Sequence, residues 1–234
     1  MHLVWLARHG LLPAGMRVVC NGFKLPRALY SLPDRDAGPP RGDVVLPNDS
    51  VTRGLREVTY AEAIIDLARD GWDITPILDE GEIPAFTSAP VAMDVGLRLK
   101  CGPVGSAAEL DAVVSRFGLA RDALAAEADR IAALPNLRLT TLHAMVGAAE
   151  TIPVERFTRA LLAAAEVWAG LRRTHASLVE LNLGGGVPSL GDPYDHRAFL
   201  AGYLAGVRDL AASAGVPAPD VTFELGTLVA SECG

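Results

Sequence analysis

Apolar positions along this 234-residue chain switch repeatedly between short continuous runs and a three-to-four spacing. Runs bounded by turn residues predict buried strands at 17–20, just before the turn pair Asn21-Gly22, and at 74–78, 94–99, 137–142, 179–183 and 221–223. Between them, helical spacing predicts a helix over 60–69, with Ala61, Ile64, Ile65 and Ala68 on one face, and another over 107–117, with Leu110, Val113, Val114 and Phe117. Further helices are predicted over 121–134, over 154–172 with Phe157, Leu161, Ala164, Trp168 and Leu171, and over 197–213 with Leu200, Leu204, Val207 and Leu210. The stretch 32–48 sets Pro33, Gly38, Pro39, Pro40, Gly42 and Pro47 among charged residues and is predicted to be a surface loop.

Strands alternating with amphipathic helices imply right-handed βαβ units and a parallel sheet with helices outside, either a barrel or a doubly wound sheet. The alternation alone does not choose between them. Six strands are too few to close an eight-stranded barrel, and the last is followed only by a short tail to Gly234. The expectation is an α/β chain forming an incomplete (β/α)8 barrel of about six parallel strands.

Composition narrows the function classes. Half of the residues are apolar, enough for one sizeable core. The net charge of -7, with no basic stripe, argues against nucleic acid as a partner. No apolar run approaches the roughly 20 residues of a membrane span, and the start, Met1 to His9, is too short and too interrupted by charge for a signal peptide. Cys20, Cys101 and Cys233 are widely spaced, and His2, His9, His175 and His196 form no ligand pair, so neither a disulfide framework nor a metal site is expected. A reducing cytoplasm is the expected setting. Lysine occurs only at Lys24 and Lys100, which limits any chemistry needing an amine.

Four places could carry chemistry. Leu181-Asn182-Leu183 runs into Gly184-Gly185-Gly186, where backbone free of side chains could approach a phosphate or simply make a tight turn. Glu224 follows the strand at 221–223, beside Gly226; there it could face a barrel mouth and bond a protonated ring nitrogen, or be a solvated edge carboxylate. His143, after 137–142, has three readings: a catalytic acid, a ring stacked on a cofactor, or a satisfied structural residue. Arg98, inside an apolar strand, needs an anion, either a ligand or a structural carboxylate.

Read in order, six segments resemble the alanine-racemase-fold, pyridoxal-phosphate-dependent decarboxylases of arginine, ornithine and diaminopimelate, above all the biosynthetic arginine decarboxylase branch. They are Val19-Cys20-Asn21-Gly22-Phe23-Lys24, Gly96-Leu97-Arg98, Ser115-Arg116-Phe117-Gly118-Leu119, Leu142-His143-Ala144-Met145-Val146-Gly147, Leu181-Asn182-Leu183-Gly184-Gly185-Gly186, and the stretch from Ala218 through Phe223-Glu224-Leu225-Gly226. The resemblance implies an alanine-racemase-like barrel that binds pyridoxal 5'-phosphate. Gly184, Gly185 and Gly186 would hold the phosphate, Glu224 beside Gly226 the pyridine nitrogen, and Arg98 would lie near the cofactor. It also implies a lyase of polyamine or lysine biosynthesis with an amino-acid substrate.

The match has gaps. The family's Schiff-base lysine lies on a strand upstream of these segments, and neither Lys24 nor Lys100 falls at its position. Met145, not His143, stands where a cofactor-stacking imidazole is expected; Ala148 replaces a phosphate-binding serine, and Glu224-Leu225-Gly226-Thr227 replaces Glu-Pro-Gly-Arg. The expectation is one partial barrel domain over 1–234, without the N-terminal lysine strand, the last barrel strand and the C-terminal β-domain. Such a chain would be a fragment or diverged decarboxylase, inactive alone. The alternatives are a pyridoxal-phosphate carrier without decarboxylase activity and a non-catalytic partner of a full-length homologue. Six strands also leave two open edges and an uncovered apolar interior, so self-association or pairing with a homologue is expected. Size-exclusion chromatography should therefore return a species larger than the monomer.

Overall fold

The elements in chain order are β1 (Val18–Cys20), β2 (Tyr30–Pro33), β3 (Leu55–Val58), α1 (Tyr60–Arg69), β4 (Ile74–Leu78), β5 (Met93–Leu99), α2 (Arg121–Ala132), β6 (Leu137–Ala144), α3 (Val154–Arg172), β7 (Glu180–Asn182), α4 (His196–Ala214) and β8 (Asp220–Thr222). The structure, a computed structural model, describes residues 6, 9–11, 13, 15–22, 24, 30–33, 55–147, 153–188 and 194–226. Six strands form one sheet in the order β1-β4-β5-β6-β7-β8, and every neighbouring pair is parallel. Each predicted strand is present, and β6 runs two residues further than its apolar run, taking His143 into the ladder opposite Arg98 and Asn182.

Local chemistry sets the helix ends. Thr59 and Glu62 form a reciprocal capping box at α1, with Thr59 N–H donating to Glu62 Oε2 at 2.7 Å and Glu62 N–H to Thr59 Oγ1 at 3.2 Å. Asp195 caps α4 through Ala198 N–H, and Gly215 ends it in the left-handed conformation at φ 70°. The two 19-residue helices α3 and α4 pack closely because Gly206 has no side chain: a Cβ there would lie 2.7 Å from Leu162 Cδ2.

Two expectations are corrected. The segment 107–117 is not an α-helix; only Ala107–Ala112 turns, as a 3-10 helix, and Val113 is already extended. The chain is drawn back to the sheet instead, since Leu119 N–H bonds Arg98 O and Lys100 N–H bonds Leu119 O. The β-branched pair Val113-Val114 gains nothing from a helix there, and Val114 is fully exposed. Leu32 and Pro33, expected in a loop, belong to β2, which pairs antiparallel with β3. A proline is tolerated at the end of a two-stranded ladder, where it lacks a second neighbour to which an N–H must donate. The rest of that predicted loop, 34–48, lies outside the described residues.

Strand alternation divides the sheet into two faces. One face buries Leu97, Leu99, Leu142, Ala144, Leu181 and Leu183 beneath the helices, where Phe157, Leu161, Trp168 and Tyr203 complete the core. The opposite face is largely polar, which corrects the expected apolar interior. Glu180 Oε2 accepts from Arg17 Nη2 at 2.5 Å and from Thr141 Oγ1 at 2.7 Å, while its Oε1 accepts from Thr222 Oγ1 at 2.6 Å. Arg17, next to β1, and Glu180, in β7, would stand about 19 Å apart across a flat sheet of that many strands. Their contact requires the sheet to curl, and the six strands make a half-barrel with the polar face inside.

Burial opposes ionisation of Glu180, but hydrogen bonds from Arg17, Thr222 and Thr141 outweigh it and hold the carboxyl below its usual range. A carboxyl depressed in the folded state contributes stability above its unfolded value of about 4.3, and that stability is lost as pH falls through the folded value. Acid titration of the folded protein should therefore reveal a loss of stability below about pH 4, and Glu180→Gln should flatten it. In urea, Glu180→Ala should cost about 2–4 kcal/mol at neutral pH, because two threonine hydroxyls and a guanidinium lose their acceptor.

Candidate functional site

The residues following the strands converge at the C-terminal rim of the half-barrel. Phe223 packs outward on α4, edge-on to Phe199 at 6.2 Å and to Tyr203 at 6.0 Å between ring centroids. Alternation then turns the next side chain, Glu224, to the inner face. Glu224 N–H donates to Gly184 O at 2.7 Å, so the carboxylate and the triple glycine stand side by side on one rim. Gly184 and Gly186 adopt φ of 61° and 91°, and a Cβ on Gly185 would lie 3.0 Å from Glu224 O. Side chains at these positions would be strained or would fill the space beside Glu224. Met145, just past β6 and 40% exposed, borders the same loop, 3.1 Å from where a Gly184 Cβ would sit.

Two asparagines bond the carboxylate. Asn21, after β1, has its Nδ2 3.0 Å from Glu224 Oε1 and 2.9 Å from Oε2, while its Oδ1 accepts from Gly22 N–H. Asn182, the last residue of β7, donates to Glu224 Oε1 at 3.2 Å and accepts from Gly184 N–H. Each amide thus holds a glycine amide of its own loop and presents its NH2 to the carboxylate. The bond from Asn21 joins the two outermost strands of the sheet across its mouth.

His143 is fully buried, its Nε2 2.9 Å from Asn21 Nδ2 and 3.5 Å from Glu224 Oε1. The other ring nitrogen, Nδ1, is buried with no hydrogen-bond partner among the described residues. The bond with His143 leads the interactions that keep Glu224 below the usual carboxylate range, with Asn21 and Asn182 adding to it and burial opposing. Glu224 is therefore an anion at neutral pH. Among the described residues no lysine or arginine pairs with it.

The other charged residues of the rim are bound to one another. Arg98 lies 3.7 Å from Asp79 and stacks on Phe117, its guanidinium carbon 4.7 Å from the ring centre. Asp79 also accepts from Gly118 N–H, which fastens the loop between β5 and α2 to the end of β4. Lys24 is buried, its Nζ donating to the carbonyls of Gly22 and Ile77 and lying 3.3 Å from Glu82. Burial lowers the Lys24 pKa, and Glu82 opposes that shift. Glu82 in turn accepts from the main-chain N–H groups of Lys24 and Asp79. This ion-paired belt joins the ends of β1, β4 and β5.

No family model matches the chain, and no curated protein matches it. Solved structures do. The biosynthetic arginine decarboxylase SpeA from Campylobacter jejuni superposes on 70% of this chain and 30% of its own length, with a TM-score of 0.58 and 19% identity. The chain has the fold of the amino-acid decarboxylases. Diaminopimelate decarboxylase from M. jannaschii covers the same 70% at a TM-score of 0.55 and 17% identity, over 40% of its length. A double mutant of SrLDC in complex with PLP gives a TM-score of 0.52 at 19% identity, again over 40% of its length. The chain thus spans 30–40% of these decarboxylases and is a partial alanine-racemase-like barrel.

Of the residues singled out by sequence, Gly184, Gly185, Gly186, Glu224, Met145 and His143 gather at one place, with Gly226 exposed two residues beyond Glu224. Arg98 is held by a structural carboxylate, one of its two open readings. Ala148 and Thr227 lie outside the described residues. Sequence reasoning missed Asn21, read only as a turn residue, and Asn182, read only as strand; their shared link to Glu224 spans 203 and 42 residues of chain. It missed Asp79 and Glu82 for the same reason.

Lys24→Met should cost about 3–5 kcal/mol in a denaturant melt, since Glu82 would be left buried without its cation. Adding Glu82→Gln should recover part of that loss.

Proposed function

We propose that this chain is a diverged relative of the decarboxylases acting on basic amino acids, that its rim binds pyridoxal 5'-phosphate reversibly, and that it does not turn over substrate alone. The adjacency of Gly184 and Glu224 carries this reading. A planar, phosphorylated pyridine needs an anion at its ring nitrogen and open backbone at its phosphate. Both are present a single hydrogen bond apart.

The residues fit the two ends of such a group and not a covalent tether. Glu224 is ionised and partly exposed, so it can accept a charge-assisted hydrogen bond from a protonated ring nitrogen. Gly184 to Gly186 offer backbone that no Cβ obstructs, and Asn182 steadies that loop through Gly184 N–H. Met145 supplies an apolar surface beside the loop. Lys24, held by two carbonyls and Glu82, is not free to be joined to an aldehyde. When bound, pyridoxal phosphate supplies an electron sink for the pair left behind as a carboxylate departs. His143 and Asn21 keep Glu224 charged, so the residue is ready to hold a ring-nitrogen proton.

Among the described residues no helix is long and apolar enough to cross a membrane, and the free thiols Cys20 and Cys101 support a cytoplasmic setting. Homo-oligomerisation, or pairing with a full-length homologue, fits the outer edges of β1 and β8, which pair with no further strand among the described residues.

Titration with pyridoxal phosphate, followed by absorbance and dialysis, should give reversible binding. Glu224→Gln should weaken it about 10- to 100-fold, the value of a hydrogen bond to a charged group. Borohydride reduction followed by peptide mapping should leave Lys24 and Lys100 unlabelled. A stable label on either lysine would overturn the reversible mode, and absence of binding would overturn the reading.

A further inference from the structure

We propose that Asn21 is a specificity-determining residue of this rim: its amide is a built-in occupant of Glu224, and a protonated nitrogen ligand binds by exchanging with it. The inference rests on the pyridoxal phosphate reading above.

The hydrogen-bond inventory of the amide leads to it. Asn21 Nδ2 carries two hydrogens and lies within 3.0 Å of both oxygens of Glu224 and of His143 Nε2. It therefore straddles the carboxylate in the position that a ligand N–H must take. Asn182 does not: it reaches one oxygen only, at 3.2 Å, and its Oδ1 is engaged inside the glycine loop. The Glu224 charge is met by neutral amides and His143, and among the described residues by no lysine or arginine. A protonated ring nitrogen brings the cation the carboxylate lacks and makes a stronger bond than an amide does. A neutral ring nitrogen offers no proton and cannot displace an amide donor. The exchange selects planar heterocycles that carry an N–H charge.

Asn21 is also placed to move. It follows the last residue of an edge strand, Cys20, and precedes Gly22 at φ 100°. A single side-chain-to-backbone bond, from Gly22 N–H to Asn21 Oδ1, sets the amide's orientation. Rotation of this side chain frees Oε2 of Glu224 for a ligand N–H, while Oε1 keeps Asn182 and His143 beside it.

The test is equilibrium dialysis of pyridoxal 5'-phosphate against the full chain and its Asn21→Ala, Asn21→Ser, Glu224→Gln and Asn21→Ala/Glu224→Gln variants, with thermal melting as the folding control. Asn21→Ala and Asn21→Ser are expected to bind about tenfold more tightly than the parent, the scale of one released hydrogen bond to a charged group. That gain should vanish in the double variant. Unchanged or weaker binding by a folded Asn21 variant, while Glu224→Gln still weakens the parent, overturns the exchange and leaves the cofactor reading standing. Absence of binding by both the parent and the Asn21 variants overturns both. Asn21→Ser decides the matter if Asn21→Ala does not fold.

Discussion

The curl of the parallel sheet is the constraint on which the rest of this structure depends. Strand alternation assigns one face to the helices and leaves the other to polar side chains, and a flat sheet would hold those side chains too far apart to meet. Curling converts the second face into an interior, where Arg17 reaches Glu180 and Asn21 reaches Glu224. The first contact lies at the N-terminal ends of β1 and β7, and the second closes over the C-terminal ends of the strands. Loss of curvature would leave Glu180 without a cation and would disperse the rim.

Two glutamates on this inner surface show how environment separates structural from chemical roles. Glu180 is buried and bound by a guanidinium and two threonine hydroxyls, so its capacity to accept hydrogen bonds is taken by the fold. Glu224 is half-buried and held by two amides and a histidine, an arrangement that keeps it ionised without a full counter-charge. A carboxylate whose charge is supported by neutral donors retains attraction for a cationic ligand, whereas one already paired with arginine does not. The same contrast separates Arg98 and Lys24 from a ligand role, because Asp79 and Glu82 engage them inside the belt that joins β1, β4 and β5.

The six parallel strands and most of the helices were legible in the sequence, because burial on one face imposes a period that survives any detail of packing. The glycine run and Glu224 were legible as strand-end features, and the order of six short segments pointed to the decarboxylase barrel that the solved structures share. The helix expected over 107–117 was not legible as a 3-10 turn. Its apolar residues have helical spacing, but hydrogen bonds between Leu119 and the end of β5 draw the chain elsewhere. The strand at Leu32 and Pro33 was hidden by its proline and the prolines that follow it, since composition cannot register the partners Arg56 and Leu55 further along the chain.

By itself, then, the sequence determined which residues face helices, which end strands, and that the strands are parallel, because these follow from periods and turn chemistry along a local stretch of chain. Only the tertiary structure decided what those strand ends touch. Asn21 bonding Glu224, Glu180 bonding Arg17, and Lys24 buried against Glu82 each join residues 58 to 203 positions apart. The curvature that brings them together arises from the packing of all six strands at once, and no local pattern encodes it.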